Sequence, residues 1–330
     1  MSVNNMTVSY APHIHDEATT SRIMRDVIIA LSPALLLSIW IFGPRAALIT
    51  CVCVAACVFF EWVFEKILKR KNTISDLSAA VTGILIAFNL PVTIPIWQAI
   101  FGCAVAIIMV KQIFGGLGKN FANPAITARI AMFLAFPVAM TTWAVPAAGF
   151  HWLGYDAITG ATPLAIMARG AHDAISGATS QAVMAGSDHL PGIWHMFLGL
   201  HGGCIGETSE LALLIGGLYL VFRRVITWHA PVTFIAVVFI LTTISGNSGI
   251  YHLLSGGLFL GAIFMATDYV TTPITKPGRI IFGVGAGLLT VLIRLYGNYP
   301  EGVSLAILLM NMVVPYINKL TFRKALGGKA

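Results

Sequence analysis

The sequence predicts an all-α polytopic membrane protein, and its composition, hydropathy and placement of basic residues each support that fold class. Of the 330 residues, 57% are hydrophobic and 10% are charged, whereas soluble globular chains carry about 25% charged residues. The mean hydropathy is +0.85. A chain of this composition is expected to be integral to the lipid bilayer.

Ten apolar segments approach the length of about 20 residues that a membrane-spanning helix requires. The third and the sixth are short or contain glycine, so we expect either of them to be broken or tilted. The predicted spans are 22–42, 46–67, 76–90, 95–114, 125–142, 208–222, 230–246, 253–271, 279–296 and 302–319.

The net charge of +7 reflects membrane topology rather than a nucleic-acid partner. If the amino terminus is cytoplasmic, all but three of the 20 Lys and Arg residues fall on the inner side, the exceptions being Arg45, Arg169 and Arg294. Such an excess of basic residues in cytoplasmic segments is the usual signal of orientation. The distribution therefore predicts that both termini are cytoplasmic.

Five predicted spans lie on each side of one long polar segment. This organisation predicts an amino-terminal half at 1–142, an extracytoplasmic loop between helices 5 and 6 at 143–207, and a carboxy-terminal half at 208–330. SAAVTGILIAFNLP in the third span is echoed by SGGLFLGAIFMATDYVTTP in the eighth. Two halves with five spans each would be inverted in the membrane, an arrangement that places binding sites on interrupted helices.

The polar loop contains one short phrase twice, as DAITGAT at 156–162 and as DAISGAT at 173–179. Each copy ends in a threonine hydroxyl, at Thr162 and Thr179, next to small residues that leave the backbone accessible. No histidine stands at a fixed short spacing to activate a threonine nucleophile. The hydroxyl is therefore interpreted as the acceptor of a group that another enzyme attaches.

The phrase D-x-x-[S/T]-G-A-T resembles the motif that a flavin transferase recognises in its protein substrates. That enzyme joins FMN through its phosphate to the threonine hydroxyl. The rest of the chain resembles the D subunits of the Rnf complex, a bacterial ferredoxin–NAD oxidoreductase that moves ions. The B subunit of the sodium-pumping NADH–quinone oxidoreductase is the longer relative of that family. The resemblance rests on TSRIMRDVIIALSPAL, KQIFGGLGKNFANPAITARIAMF, GCIGETSELALLIGGLYLVFRRVITWHAPVTF, SGNSGIYHLLSGGLFLGAIFMATDYVTTP and YPEGVSLAILLMN.

The resemblance implies that covalent FMN is attached to the threonine followed by Pro-Leu, which is Thr162. The second copy matches the minimal phrase but departs from the Pro-Leu continuation, so the alternatives are attachment to Thr179 or to both threonines. A covalent tether would keep the flavin at a millimolar effective concentration. The motif residues implied around the first acceptor are Asp156, Thr159, Gly160 and Ala161.

The glycine-rich stretch KQIFGGLGKN at 111–120 lacks the GK[ST] ending of a P-loop. By resemblance it is expected to line a second, non-covalent flavin site holding riboflavin, with Asn120 and Asn123 as hydrogen-bond partners. The alternative is a tight loop between two helices.

Polar side chains within spans are functional candidates because they are costly in lipid. Asp268 lies near an expected helix break and Asn89 lies at the echoing position of the third span. We expect these two residues to mark an ion pathway at the repeat interface, or else to cap broken helices. Glu61 and Glu65 are expected to pair with Lys66 or Lys69.

Cysteines and histidines carry no recognisable metal pattern. The five cysteines lack the paired spacing of a zinc site or an iron–sulfur cluster and are interpreted as packing residues. The histidines in or near the polar loop are expected to be solvated. They are His151, His172, His189, His195 and His201.

By resemblance, the chain is expected to be an electron-transfer subunit that couples ferredoxin–NAD electron transfer to Na⁺ or H⁺ translocation in the bacterial inner membrane. The implied partners are the A, B, C, E and G subunits of the complex and the flavin transferase. The isolated chain would not be a complete enzyme. The alternatives are a B-type subunit of the sodium-pumping oxidoreductase and a non-redox secondary transporter with inverted repeats.

Overall fold

The computed structural model describes residues 19–70, 73–144, 162–165, 167, 192–199, 201–207, 209–297 and 301–322. These residues form helices and connecting segments, and each of the ten predicted spans contains a helix. The helices are α1 Thr20–Phe42, α2 Pro44–Ile67, α3 Ser78–Phe88, α4 Ile96–Ala104, α5 Pro124–Ala135, α6 Pro137–Met140, α7 Ile193–Leu198, α8 Glu210–Phe222, α9 His229–Ile244, α10 Gly249–Leu253, α11 Leu258–Leu260, α12 Lys276–Tyr296 and α13 Val303–Thr321. The all-helical membrane fold class is confirmed.

Within the described residues, four helices are long and apolar enough to cross a membrane by themselves, namely α1, α2, α12 and α13. Large apolar side chains such as Leu36, Phe222 and Leu320 are exposed on the bundle, as expected where lipid is the solvent. Of the two spans expected to be broken or tilted, the third contains the short helix α3 of 11 residues, and the sixth contains α8, which is continuous over 13 residues. In the eighth predicted span, α11 and the helical turns that follow it end at Met265.

Two helices change their winding within the apolar region. α4 continues as a π-helix at Val105–Gln112, and α11 continues as a π-helix at Gly261–Met265. Such π-helical turns are rare and occur mostly at functional sites. Both of these stretches contribute residues to the polar sites described below.

The same packing pattern occurs in both halves of the chain. α2 packs against α3 and α4, and in the second half α9 packs against α10 and α12. α5 contacts α4 and its π-helical continuation, just as α13 contacts α12. The halves meet where α1 packs on α8 and where α5 packs on α13.

The contact between α1 and α8 depends on a small residue and on an ion pair. A Cβ on Gly216 would lie 2.0 Å from the carbonyl oxygen of Ala30, so only glycine permits this approach of the two backbones. At the end of the same contact, Arg223 Nη2 lies 3.1 Å from Asp26 Oδ2. Together these contacts hold the first helices of the two halves together.

The broken end of α3 is covered by residues 204–207. The backbone N–H of Ile205 donates to Leu90 O at 3.0 Å, and that of Gly206 donates to Phe88 O at 3.0 Å. Carbonyls at a helix end lack partners within the helix and are costly to bury unpaired. The last residues of the polar loop therefore supply hydrogen bonds to the carbonyl groups at the end of α3, and they carry their own side chains into the bundle.

Candidate functional site

Thr162 begins a short helical stretch at 163–165. Its side-chain Oγ1 accepts a hydrogen bond from the backbone N–H of Ala165 at 3.2 Å, which is the geometry of a helix N-cap. The residue is 7% exposed. Of the other residues predicted for flavin attachment, Thr179, Asp156, Thr159, Gly160 and Ala161 lie outside the described residues.

The segment that follows Thr162 packs against two successive glycines at the start of α11. Gly256 and Gly257 have φ values of +70° and +62°, which side-chain-bearing residues rarely adopt. A Cβ on Gly256 would lie 2.1 Å from Leu164 Cδ1, and one on Gly257 would lie 2.4 Å from Glu207 Oε1. The glycine pair therefore allows both Leu164 and Glu207 to approach the backbone.

Beside this glycine pair lies a buried group that we call the arginine cluster, formed by Arg129, Glu207, Glu301, Asn89 and Cys204. Arg129 Nη1 donates to Glu207 Oε1 at 2.6 Å and to Asn89 Oδ1 at 2.7 Å. Its Nη2 pairs with Glu301 and lies 3.5 Å from Cys204 Sγ. The cluster joins the broken end of α3, the middle of α5 and the residue that lies just before α13.

Three members of the arginine cluster have the ligand types of a metal site. One atom each of Cys204, Glu207 and Glu301 lie within 4.8 Å of one another. However, Arg129 bridges both carboxylates and so supplies the positive charge that these acids require. The geometry supports an ion-pair network, and we assign it no metal.

Burial changes the protonation of groups in this region. It raises the pKa of the Glu301 carboxyl to about 7, an effect that neighbouring Arg129 opposes. Burial lowers the pKa of His201 to about 4, and its Nδ1 has no hydrogen-bond partner among the described residues. The expectation that His201 is solvated is therefore wrong, because residues 201–207 pack into the bundle.

A cavity of about 360 Å³ lies at the glycine-rich loop 111–120. We call it the loop cavity. Asn120, Asn123, Lys111 and Asp268 all contribute to its wall. This volume falls within the range of small-molecule sites, about 300–1,000 Å³.

The two asparagines that were predicted to bind a flavin differ in the hydrogen bonds of their side-chain oxygens. Asn123 Oδ1 caps α5 by accepting from the backbone N–H groups of Ala125 at 3.0 Å and Ile126 at 3.3 Å. Asn120 Oδ1 is buried and has no partner in the described part of the chain. Asn120 is thus the side chain with a polar atom available to a ligand.

Lys111, in the π-helix that follows α4, forms a buried ion pair with Glu61 of α2. Its Nζ lies 2.6 Å from Glu61 Oε1 and donates to Ser78 Oγ at 2.6 Å. Glu65 instead accepts from the backbone N–H and the hydroxyl of Thr73. The predicted pairing of the two glutamates with Lys66 or Lys69 is wrong, because Glu61 pairs with Lys111 from another helix and Glu65 binds Thr73 in the segment that follows α2.

Asn89 and Asp268 lie in neighbouring breaks but in different environments. Asn89 Nδ2 lies 3.8 Å from Met265 Sδ, three residues before Asp268. Asn89 nevertheless belongs to the arginine cluster, whereas Asp268 accepts from the Thr271 hydroxyl at 3.1 Å and faces the loop cavity. The structure therefore brings the two breaks together without joining the two side chains.

The loop cavity and the Thr162 segment lie toward opposite ends of the bundle. Arg279 of α12 lines a polar pocket of about 150 Å³ that shares Asp268 with the loop cavity. Arg294, near the other end of α12, lies beside Leu164. Fifteen residues of helix separate the two arginines by about 22 Å.

Comparison with known proteins decides the family. The family model described as NQR2, RnfD, RnfE matches residues 7–327. The chain belongs to this family. The resemblance that the sequence predicted is confirmed.

Relatives across the family have similar lengths and names. The chain is 44% identical to the D subunit of the Na⁺-translocating ferredoxin:NAD⁺ oxidoreductase complex of Acetobacterium woodii, over 99% of this chain and 97% of that one. It is 42% identical to the D subunit of the proton-translocating complex of Clostridium ljungdahlii, over 96% and 95%. It is 38% identical to the D subunit of an ion-translocating oxidoreductase complex of Stutzerimonas stutzeri, over 95% and 94%.

Proposed function

We propose that this chain is a membrane electron-transfer subunit of an Rnf-type complex that couples ferredoxin–NAD electron transfer to ion translocation. The observation that carries the proposal is end-to-end similarity to relatives named as the D subunits of such complexes. Coverage of 97% of the Acetobacterium woodii relative favours this assignment over the longer B-type subunit of the sodium-pumping oxidoreductase.

We assign covalent FMN to Thr162, joined through the flavin phosphate, with Thr179 as the alternative. The position of Thr162 suits such a link, because its oxygen accepts the hydrogen bond from Ala165 and an ester oxygen keeps that capacity. When bound, a flavin exchanges one or two electrons and so connects one-electron with two-electron carriers. The chain contributes the fixed location of the attachment point.

We assign the loop cavity to a second, non-covalent flavin, riboflavin. Its volume of about 360 Å³ and its mostly apolar wall suit a planar ring system, and Phe264 and Tyr269 contribute aromatic surface. Asn120 Oδ1, which has no partner among the described residues, would accept from a ring N–H. Lys111 also lines the cavity, where its charge is matched by Glu61.

Ion translocation is assigned to the interrupted helices, with Asp268 as the ionisable residue. It lies shortly after the π-helix that follows α11, and it lines both the loop cavity and the polar pocket at Arg279. Relatives are named as translocating either Na⁺ or H⁺, so similarity is compatible with both ions. We expect Asp268→Asn to reduce ion transport in vesicles while electron transfer continues.

The proposal places ten spans in the bacterial inner membrane, as two inverted halves with cytoplasmic termini and the segment 143–207 outside. The similar packing of the two halves supports the repeat. The neighbours in the complex would be the A, B, C, E and G subunits, and a flavin transferase would load FMN.

Flavin fluorescence on a denaturing gel tests this function. The chain purified from a host with the transferase should fluoresce, Thr162→Ala should abolish the signal, and Thr179→Ala is the matched control that should retain it. Fluorescence that persists in Thr162→Ala and disappears in Thr179→Ala would move the site to the second copy. A colourless wild-type band would favour a secondary transporter instead.

A further inference from the structure

Arg294, near the carboxyl end of α12, is a buried guanidinium whose hydrogen bonds go to backbone carbonyls, while Glu301 and Glu207 attract it without direct contact. The residue is 5% exposed. Nη1 donates to His252 O at 2.6 Å, and Nη2 donates to Ser255 O at 2.9 Å and to Gly256 O at 3.3 Å. Among the described residues, no carboxylate forms an ion pair with it.

One donor of the same guanidinium has no acceptor. The Nε–H of Arg294 is buried without a hydrogen-bond partner in the described segments, and so is Nδ1 of His252, whose carbonyl binds Arg294. Buried polar groups in proteins are nearly always paired. Two unpaired polar atoms on residues in contact point to a hydrogen-bonding group that the described residues do not supply.

The position of Arg294 relates it to Thr162. The Cβ position of Gly256 lies 2.1 Å from Leu164 Cδ1 and 3.2 Å from Arg294 Nη2, so these two side chains are neighbours across one glycine. Leu164 follows Thr162 by two residues in the same short helical stretch. The buried cation therefore adjoins the segment that bears the proposed attachment point.

The other buried arginine near this segment already forms direct ion pairs. Arg129 contacts the carboxylates of both Glu207 and Glu301. A phosphodiester carries one negative charge, and burying such a charge near a membrane requires a cation and hydrogen-bond donors. The planar fork of arginine matches phosphate oxygens well. Arg294 has both the charge and the free donor that this requires.

Resting on the proposed function, we propose that Arg294 is the counter-cation of the phosphodiester that joins FMN to Thr162. It is a positioning residue, because it binds the phosphate and not the redox-active ring. Its positive charge also favours the reduced flavin, since reduction adds negative charge to the ring system.

A double-mutant cycle on the full chain separates this role from ordinary packing. The thermal unfolding midpoint is measured for wild type, Arg294→Gln, Thr162→Ala and the double variant, all in lipid nanodiscs. Arg294→Gln should lower the midpoint more in the flavinylated chain than in the Thr162→Ala chain, which has no phosphate. An equal loss in both backgrounds would show that Arg294 only binds the carbonyls of the α10–α11 connection.

The midpoint potential of the covalent FMN gives a second readout. Arg294→Gln should lower that potential, whereas Arg294→Lys, which keeps the charge and loses the fork, should leave it near the wild-type value. Arg279→Gln, at the far end of the same helix, is the matched control and should not change it. If Arg294→Gln does not accumulate, Arg294→Lys decides, and a lowered potential in that variant overturns the proposal.

The outcomes distinguish this proposal from the proposed function. A wild-type chain without covalent flavin would refute the function and, with it, the role of Arg294. A wild-type chain whose flavin depends on Thr162, with a potential indifferent to Arg294→Gln, would leave the function intact and refute the role of Arg294 alone.

Discussion

Arg129 donates to Glu207 across 2.6 Å, although 78 residues separate them in the sequence. Through Asn89 and Glu301 the same guanidinium connects the broken end of α3 with the start of α13. These contacts tie the two halves of the chain together beside the Thr162 segment. The network therefore stabilises the surroundings of the proposed covalent flavin.

Removal of Arg129 should be strongly destabilising. Arg129→Gln leaves Glu207 and Glu301 without a cation, and a buried ion pair that loses one partner typically costs about 3–5 kcal/mol. Arg223→Gln is the control, because Arg223 is 37% exposed in its pair with Asp26, so its loss should cost less than that of the fully buried Arg129. Unfolding in nanodiscs measures the stability of both variants. Equal losses of stability would contradict the claim that the arginine cluster is a main stabilising contact.

The raised pKa of Glu301 predicts a specific dependence of stability on pH. Its value rises from 4.5 in the unfolded chain to about 7 in the folded one, so the folded state holds the proton more tightly. This contribution to stability is full below pH 4.5 and is lost as the pH rises to about 7.

The buried His201 acts in the opposite direction, because its pKa falls from 6.5 to about 4 and stability therefore rises with pH in that window. The contribution of Glu301 is obtained from the difference between the pH profiles of wild type and Glu301→Gln. That difference should decline between about pH 4.5 and 7. A difference in stability that does not change with pH in this range would show that folding does not raise the pKa of Glu301.

The pair between Lys111 and Glu61 should behave as a buried unit. Lys111→Met alone leaves the Glu61 charge unmatched and should cost about 3–5 kcal/mol, whereas the double variant with Glu61→Leu should recover most of that loss. Lys66→Met, at an exposed position on α2, should change stability by less than about 0.5 kcal/mol. A double variant as unstable as Lys111→Met would contradict this pairing.

Substitutions of Asn120 and Asn123 should have different effects, on flavin binding in the first case and on folding stability in the second. Asn120→Ala should reduce the non-covalent flavin that acid releases from the purified complex, because its free Oδ1 faces the loop cavity. Asn123→Ala should lower stability by about 1 kcal/mol, because it removes the cap of α5. Unchanged flavin content in Asn120→Ala would remove that residue from the proposed site.

The sequence predicted what depends on local composition. Apolar runs located the helices, and the short apolar run of the third span indicated that α3 would be short, because these signals lie within a few neighbouring residues. Asn123 was expected to bind a flavin, although Asn before Pro124 is also a local helix-capping signal.

Ion pairs between residues far apart in the sequence could not be predicted from local sequence patterns. Arg129 and Glu301 are 172 residues apart and Glu61 and Lys111 lie on different helices, so their pairing emerges only when the helices pack. Arg129 lay within a predicted span, and an arginine there was the one available signal, since charged residues in lipid require buried partners. The assignment of Glu61 to a lysine on its own helix failed for this reason.

The central claim is that Thr162 carries FMN, and the intact mass of the chain isolated from its native host tests it most directly. We predict a mass above that of the polypeptide by one FMN less one water, with the addition on the peptide that contains Thr162. A chain whose mass equals that of its amino acids alone would contradict the account.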